Sequence, residues 1–561
     1  MQGRFMLAAV VSMALVHPAC ETPSGDAPNL ILHHGRIVTL DSGSSIAEAV
    51  AIEGDRIAAV GGNEDILTLA GTETEVLDLA GQTVVPGFAD NHYHGIGGGP
   101  GVDLASTRRL REVLEAIAAR ARDTPPGGVI FTNRDWHEGQ LEEQRLPYRD
   151  DLDAAAPNHP VVVVRGGHEY VLNSAALIKW RIDESTEAPE GGSIGRYEDG
   201  RLNGELVDSA KSLVELPAEA SASADYEPES LLAEHRRLNE AGLTSIRYAG
   251  GNKELYDALS QRRDRGELTV RVSVLFRLTP SADPERLDEV FAAWGVGPDD
   301  GDAWLRVGGI KLGVDGGFEG GWMREPYSEP YGEDGTYYGL QTFPTVQYVR
   351  LVRALNQRGW RVATHAVGDA AIDLVLDGYQ AANDDRSIQG SRWAIEHGFI
   401  VNEDQVSRVK ELGLALSGQH HLYIAGPSLV KYWGADRAHR VTPLRSYLDA
   451  GIPVSLGSDS PVVPYPPLSV LYHFITRDTI SAGVMGEEER LGREEALRAT
   501  TLGYAHLTFE EESKGSIEPR KLADLVVLPE DILTCPADRI RDMPVSMTIV
   551  GGEIVYRRDA D

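Results

Sequence analysis

The sequence predicts an α/β fold in which a central parallel sheet or barrel is joined to a small β-sandwich built from both chain ends. In the middle, at residues 86–514, strand-like apolar runs alternate with segments of helical periodicity. At the two ends, residues 29–85 and 515–561, short apolar runs alternate with turn residues instead. Neither end has enough strands to be stable alone, so we expect the two ends to pair. An open doubly wound sheet is the alternative for the middle, but no Gly-x-Gly-x-x-Gly follows an early strand.

The pattern of apolar residues places the individual elements. Strands are predicted at residues 30–32, 36–40, 49–52 and 57–60 near the N-terminal end, and at 525–528, 547–550 and 553–556 near the C-terminal end. In the middle, residues 108–121, 228–241 and 346–358 have helical spacing, whereas 161–164 and 270–275 are strand-like. The alternation breaks at about residues 123–204, which predicts an inserted lobe.

The charge balance restricts the partners that the chain can bind. The 561 residues carry a formal net charge of −33. Such an excess of acid opposes binding to the phosphates of nucleic acid, so we expect a small-molecule substrate and no nucleic-acid partner. A homo-oligomer is compatible with the sequence.

Residues 1–20 are typical of an export signal. Arg4 supplies a positive charge, and the apolar stretch 5–16 is too short to span a bilayer as a mature helix. Cys20 resembles the lipid-bearing first mature residue of a bacterial lipoprotein, with residues 21–28 as a linker. We therefore expect export to the bacterial cell envelope, either in the periplasm or anchored to the membrane through Cys20. A cleaved, soluble secreted form is the alternative.

One stretch at the start of the middle region has the residues of a metal site. Residues 86–94 are Pro-Gly-Phe-Ala-Asp-Asn-His-Tyr-His, directly after an apolar run. Residues two apart on a strand face the same side, so His92 and His94 can reach one point in space. Converging imidazoles are ligands of zinc and similar metals. A pair of ordinary histidines is the alternative, but the preceding turn, the carboxylate of Asp90 and the glycines at 97–99 favour a metal site.

Four later apolar runs also contain or end in residues that can bind a metal. They are Lys311, His365, His397 and Asp459. A lysine inside an apolar run must lose its charge or find a carboxylate partner. Because the carboxyl ends of barrel strands meet at one mouth, this ordered set predicts one shared site.

These motifs resemble those of the metal-dependent amidohydrolase superfamily. Residues 86–94 are similar to its opening signature, Pro-Gly-Phe-x-Asp-x-His-x-His. His-Ala-Val-Gly-Asp-Ala-Ala at 365–371, Gly-Ser-Asp-Ser-Pro-Val at 457–462 and the stretch 166–177 resemble its amidohydrolase-3, or YtcJ-like, branch. The resemblance extends from about residue 29 to 556. It implies a (β/α)8 TIM-like barrel with its active site at the carboxyl ends of the strands, and the sandwich built from both chain ends.

The resemblance also implies roles for single residues. The expected metal ligands are His92, His94, Lys311, His365, His397 and Asp459, which would hold one or two divalent ions, with zinc as the expected metal. Lys311 is either N6-carboxylated, so that it bridges two ions, or an ordinary salt-bridged lysine. Asp459 is expected to act as the general base that takes a proton from water and passes it to the leaving amine. A purely structural ligand is the alternative for Asp459.

Four side chains are predicted to contact the substrate. His168 and Gln419 are expected to polarise or orient the substrate carbonyl, and Trp136 and Tyr170 to line an apolar pocket. Loop aromatics are as often packing residues, which is the alternative for Trp136 and Tyr170. The YtcJ-like branch usually has Asp at the position of Gly166 and Gln-Pro where this chain has Gln-His at 419–420.

The expected function is hydrolysis of a non-peptide carbon–nitrogen bond by metal-activated water. The bond would belong to an amide, an N-formyl or N-acyl amine, or a cyclic amide. One alternative is hydrolysis of an ester or a carbamate at the same site. Another is ligand capture by a non-catalytic surface lipoprotein, which would have no need of a water-activating base. Substrate specificity is expected to lie in the inserted lobe and loops.

Overall fold

The computed structural model describes residues 27–220, 228–328 and 335–559. The predicted export signal, Cys20 and most of the linker lie outside these residues, so export and lipid attachment stay predictions, as does a homo-oligomer. In the described ranges no helix is both long and apolar enough to cross a membrane. The strands form four sheets, which belong to a barrel, a two-sheet sandwich and an inserted lobe.

The barrel has eight parallel strands that are neighbours in chain order. Numbered within the barrel, they are β1 (Phe88–Tyr93), β2 (Leu243–Gly251), β3 (Arg271–Arg277), β4 (Leu305–Gly313), β5 (Val362–Ala366), β6 (Ala394–His397), β7 (Ala415–Gln419) and β8 (Val454–Gly457). The chain just beyond β8 joins β1, because the backbone N–H of Asp459 donates to the carbonyl of His92 at 2.7 Å. The N–H of His94 donates to the carbonyl of Ser460 at 2.9 Å. The predicted (β/α)8 barrel is confirmed.

Helices of the middle region follow the barrel strands, and most of them share one hydrophobic core with the strands. They are Pro228–Glu240, Lys253–Asp264, Leu287–Trp294, Thr345–Gln357, Asp369–Asp385, Glu403–Glu411, Leu422–Trp433, Ala435–His439, Leu444–Asp449, Pro467–Thr476, Arg493–Ala499 and Leu502–Leu507. In Thr345–Gln357 the buried residues Tyr348, Leu351 and Leu355 are three or four positions apart, which places them on one face. Gly359, with a φ of +79°, ends this segment in a conformation that glycine adopts without strain.

The sandwich combines strands from both chain ends in two sheets. The four-stranded sheet has the order Arg56–Gly61, Ala49–Glu53, Leu30–His33, Glu75–Asp78, and the six-stranded sheet has the order Glu553–Arg557, Met547–Val550, Leu525–Leu528, Thr83–Pro86, Arg36–Val38, Ile46–Ala47. Two short helices, Asn63–Leu67 and Asp538–Arg541, belong to the same chain ends. The ends join where Val526 lies opposite Val85 in an antiparallel pair. Leu32 of one sheet and Leu525 of the other contribute to a single core.

The inserted lobe lies between β1 and β2. Its five-stranded sheet has the order Gly192–Arg196, Leu202–Asp208, Glu169–Leu172, Val161–Arg165, Ile130–Phe131, and its helices are Leu110–Asp123, Arg149–Ala155 and Ser174–Trp180. The first of these helices packs Val113 and Ile117 into a core with Val161 and Val163 of the lobe sheet. The lobe therefore begins before residue 123, the boundary expected from the sequence. Helical spacing shows which face is apolar, but not which sheet that face will cover.

A buried ion pair ties the sandwich to the barrel. Arg271 at the start of β3 donates to both carboxylate oxygens of Asp524, with Nε–Oδ2 at 2.7 Å and Nη2–Oδ1 at 3.0 Å. Both side chains are almost fully buried. Asp524 directly precedes the strand Leu525–Leu528, and its backbone carbonyl accepts a hydrogen bond from the N–H of Gly87. The pair thus joins β3 to the point where the two chain ends meet.

We predict that Asp524→Ala lowers the free energy of unfolding by about 3–5 kcal/mol, because Arg271 would stay buried without a counter-charge. Chemical denaturation followed by circular dichroism measures the change. Glu289→Ala is the matched control, since Glu289 pairs with Arg286 on an exposed surface and its loss should leave the stability nearly unchanged. Equal effects of the two substitutions would contradict the prediction.

Candidate active site

Side chains from five barrel strands or the residues just after them meet at the carboxyl end of the barrel. They are His92 in β1 and His94 just beyond it, Lys311 in β4, His365 in β5, His397 at the end of β6 and Asp459 just beyond β8. His92, His397 and Asp459 each place one ligand atom within 4.8 Å of the other two. These three residues, the ligand triad, are all buried.

The other three predicted ligands lie against the ligand triad. Nζ of Lys311 is 2.9 Å from Nε2 of His92. Nε2 of His94 is 3.3 Å from Oδ1 of Asp459. The ring centroid of His365 is 4.6 Å from that of His397. The fold therefore brings all six predicted metal ligands together.

Each imidazole of the triad forms a hydrogen bond through its Nδ1, on the side of the ring away from the site. Nδ1 of His92 is 2.5 Å from Oε2 of Glu396, whose other oxygen accepts a hydrogen bond from Arg247. Nδ1 of His397 donates to Oε1 of Gln419 at 2.7 Å. The side-chain amide of Gln419 is fixed in turn, because its Nε2 donates to the carbonyl of Ser417 at 3.0 Å. These bonds orient each ring and leave Nε2 as the nitrogen that faces the site.

Burial keeps these imidazoles neutral. Desolvation lowers the pKa of His92 to about 3 and holds the pKa of His397 well below its usual value. The neutral ring is the form that binds a metal. Desolvation also lowers the pKa of Lys311 to about 8. The site thus combines uncharged nitrogen donors with an amine that is easily deprotonated.

Asp459 is held in place by its backbone and by two histidines. Its Oδ2 is 2.9 Å from Nε2 of His421, and its Oδ1 faces His94. Burial raises the pKa of this carboxyl, but His92 and the hydrogen bonds with His421 and His94 outweigh burial and keep the pKa well below its usual value. Asp459 and His397 both have positive φ, at 62° and 73°. Such strain in residues other than glycine concentrates at functional sites.

The donor chemistry of the triad fits a divalent metal. Two neutral imidazoles and one ionised carboxylate are donors that zinc and related ions prefer, and their ligand atoms are close enough to share one ion. Glu396 behind His92 and Gln419 behind His397 supply the outer hydrogen bonds that metal-binding histidines need.

The inserted lobe contributes His168 to the same place. His168 lies in the turn between the lobe strands Val161–Arg165 and Glu169–Leu172, and its ring stacks on that of His365 with centroids 5.4 Å apart. Its Nδ1 is 2.6 Å from Oδ1 of Asp208. Burial lowers the pKa of His168, but Asp208 more than offsets this effect and raises it above its usual value. His168 is therefore suited to donate a hydrogen bond near the triad.

A cavity of about 440 Å³ surrounds the triad. The six predicted ligands and His168 all line it. A cavity of this size is typical of sites that enclose a small molecule. The barrel mouth and the lobe together therefore form the binding site.

Three predicted substrate contacts lie elsewhere. Trp136 is fully buried in the core of the lobe, where its Nε1 donates to the carbonyl of Val164 at 2.8 Å. Gln419 is buried behind His397 and orients that ring instead of facing the cavity. Tyr170 lines a neighbouring cavity of about 300 Å³ and not the one around the triad. Closeness to a motif in sequence does not determine which way a side chain points.

Sequence reasoning missed the partners of the catalytic candidates. The sequence patterns assign no role to Glu396 and Asp208, which form hydrogen bonds with His92 and His168. One signal was present for Glu396, because it lies inside an apolar run and a buried carboxylate needs a partner. No comparable signal pointed to Asp208, which comes 40 residues after His168 and becomes its neighbour only when the lobe strands Glu169–Leu172 and Leu202–Asp208 pair.

Comparison with known proteins agrees with the class of protein that this fold and site define. A sequence model of the amidohydrolase family matches residues 75–556. The chain therefore belongs to the amidohydrolase family, and it is a metal-dependent hydrolase of carbon–nitrogen bonds other than peptide bonds.

Individual relatives cover nearly the whole chain. The N-substituted formamide deformylase of Arthrobacter pascens is 30% identical, over 94% of this chain and 98% of its own. The putative amidohydrolase YtcJ of Bacillus subtilis is 28% identical, over 94% of this chain and 99% of its own, which confirms the resemblance to the YtcJ-like branch. A solved structure of an uncharacterized metal-dependent hydrolase from Pyrococcus horikoshii has the same fold, with a TM-score of 0.65, 23% identity, and coverage of 91% of this chain and 99% of that one.

We predict that Gln419→Leu weakens metal binding by about 10- to 100-fold, because His397 loses the bond that orients it. Competition with a chromophoric chelator measures the affinity. Gln405→Leu is the matched control, since Gln405 is also buried but bonds to Asp369 and Asp373. A Gln419→Leu protein that binds metal as tightly as the control would contradict this role.

Proposed function

We propose that the protein hydrolyses the amide bond of an N-formyl or N-acyl amine at the ligand triad. The observation that carries this proposal is the convergence of two neutral imidazoles and the ionised Asp459 in one cavity with His168. The similarity to an N-substituted formamide deformylase over almost the whole chain supports a formyl or related acyl group.

The reaction class follows from these residue types. A divalent metal, for which we propose zinc, would act as a Lewis acid and make water acidic enough to ionise near neutral pH. Asp459, as an ionised carboxylate, accepts the proton of the attacking water and returns it to the leaving nitrogen. His168 donates a hydrogen bond to the substrate carbonyl while Asp208 holds the ring in place. Water and amide are thereby converted to a carboxylic acid and an amine.

We predict that Asp459→Asn lowers kcat by about 10²–10⁴-fold, because the variant has no general base. Release of formate and amine from N-substituted formamides, measured with the metal content of each preparation, tests this. Asp449→Asn, at an exposed position on the helix Leu444–Asp449, is the matched control. Tight ligand binding without turnover in the unaltered protein would instead favour the non-catalytic binder. Turnover of esters alone would favour the esterase.

We further propose that Lys311 carries CO2 as a carbamate. The nitrogen of its neutral amine bonds to the carbon of CO2, a proton leaves to solvent, and the product offers two oxygen donors. Nζ is buried and 2.9 Å from Nε2 of His92, so these oxygens would form beside the triad. The six converging side chains could then hold two ions instead of one.

Reconstitution tests the carbamate. Metal-free protein loaded with zinc in bicarbonate buffer should bind about two ions per chain and regain more activity than protein loaded in CO2-depleted buffer, since the carbamate must form first. Lys311→Met should bind one ion in either buffer and show no response to bicarbonate. A bicarbonate response that persists in Lys311→Met would rule out this residue as its origin.

A further inference from the structure

Two arginines on the cavity wall have no carboxylate partner in the described part of the chain. Arg277 ends β3 on the barrel side, and Arg134 follows the strand Ile130–Phe131 on the lobe side. Among residues 27–220, 228–328 and 335–559, neither guanidinium makes a hydrogen bond or an ion pair. The chain has 86 acidic against 53 basic residues, so a carboxylate partner is generally easy to supply. These two guanidinium groups, unpaired among the described residues, are therefore available to bind an anion.

The carboxylates that line this cavity are already engaged. Asp208 holds His168, and Asp459 faces His94 and His421. Asp315 accepts hydrogen bonds from the backbone N–H groups of residues 322, 367 and 368. Within the described residues, none of these three carboxylates forms an ion pair with an arginine.

A third basic side chain that lines the cavity, Lys211, already has polar and aromatic contacts. Its Nζ donates to the carbonyl of Gly167 and lies 5.4 Å from the centroid of the Tyr170 ring. Burial lowers the pKa of Lys211, and the charge of Asp208 opposes that effect. Among the described arginines and lysines that line this cavity, Arg277 and Arg134 are the two whose side chains make no hydrogen bond or ion pair.

Arg277 lies beside the reaction centre. A Cβ atom placed on Gly250 of β2 would be 3.6 Å from Cδ of Arg277 and 3.8 Å from Cε1 of His94, so the two side chains flank the same glycine. Arg277 is exposed at the cavity surface, where a ligand can reach it. A group attached close to the scissile amide could therefore reach this guanidinium.

Arg134 faces the same cavity from the lobe. It lines both the cavity around the triad and the smaller one that contains Tyr170, so it stands where the two meet. A substrate whose amide carbonyl lies at the triad would share the cavity with both arginines. Guanidinium groups bind carboxylates through charge-assisted hydrogen bonds, often two in parallel.

We propose that the natural substrate is an N-acyl amine whose amine part carries a carboxylate, as in an N-formyl or N-acyl amino acid, and that Arg277 and Arg134 bind this carboxylate. This inference rests on the proposed function and keeps the same amide bond as the one that is hydrolysed. It adds the anionic class of the substrate. The unpaired charge on the wall is then neutralised only when the substrate is bound, which favours binding of this class over neutral amides.

A matched pair of substrates tests the inference. N-formylphenylalanine and N-formylphenylalaninamide have nearly the same shape and differ in one negative charge. The holoenzyme should have a kcat/KM at least about 10-fold higher for the carboxylate, since a hydrogen bond to a charged group contributes a 10- to 100-fold preference. Raising the salt concentration should reduce this ratio.

Substitutions of the arginines show which positive charge determines the ratio of the kcat/KM values for the two substrates. Arg277→Met and Arg134→Met, which keep the length of the side chain, should each bring the ratio of the two kcat/KM values towards one. Arg286→Met, at an exposed position just before the helix Leu287–Trp294 and outside the cavity lining, should leave the ratio as it is in the unaltered protein. An unaltered protein with equal kcat/KM for both substrates, or a ratio unchanged in both cavity variants, would overturn the inference while the hydrolysis itself still supports the proposed function.

Binding measurements test the inference even if the protein hydrolyses neither substrate. Calorimetry of the holoenzyme should show tighter binding of N-formylphenylalanine than of its amide, and this difference should disappear in Arg277→Met. If no formamide or amide is hydrolysed but the binding difference is present, the proposed function fails and the anion site stands. If neither hydrolysis nor a binding difference is found, both are overturned.

Discussion

The backbone hydrogen bond from Asp459 to His92 joins the two edges of the barrel sheet, and the active site depends on that junction. His92 belongs to the first barrel strand and Asp459 follows the last, so these residues become neighbours only when the sheet closes. His397 then completes the triad from a strand on the same rim. A parallel barrel brings all its carboxyl ends to one mouth, which is why ligands spread over most of the chain converge.

Burial gives these donors their chemistry. Imidazoles packed around a carboxylate in water would gain protons as the pH fell, and a protonated ring cannot bind a metal. Here desolvation keeps His92 and His397 neutral, while Glu396 and Gln419 fix which nitrogen faces the site. Arg247 balances the charge of Glu396, so the buried carboxylate is itself paired. Glu396, Gln419 and Arg247, which lie on the side of the triad away from the site, thus keep it in a form that can bind a cation.

The barrel and the lobe each contribute a different set of residues to the active site. The barrel provides the ligand triad and Arg277, whereas the lobe provides His168 and Arg134 to the same cavity. Since the lobe is inserted between β1 and β2, it can vary without disturbing the order of the ligands on the rim. We therefore expect the chemistry to depend on the strands and the choice of substrate to depend on the lobe.

The sequence by itself determined the order of the metal-site residues, their positions at or near strand ends, and the pairing of the two chain ends. Each of these follows from a local pattern: apolar runs that end in His, Lys or Asp, and short strands too few to stand alone. Tertiary structure alone decided that Gln419 supports His397, that Trp136 packs inside the lobe, and that the helix Leu110–Asp123 belongs to the lobe. It also decided which charges are paired, so that Glu396 has a partner and Arg277 has none among the residues that the structure describes. Periodicity fixes the face that a residue occupies on its own element, but the group opposite that face comes from a distant part of the chain, and only folding brings the two together.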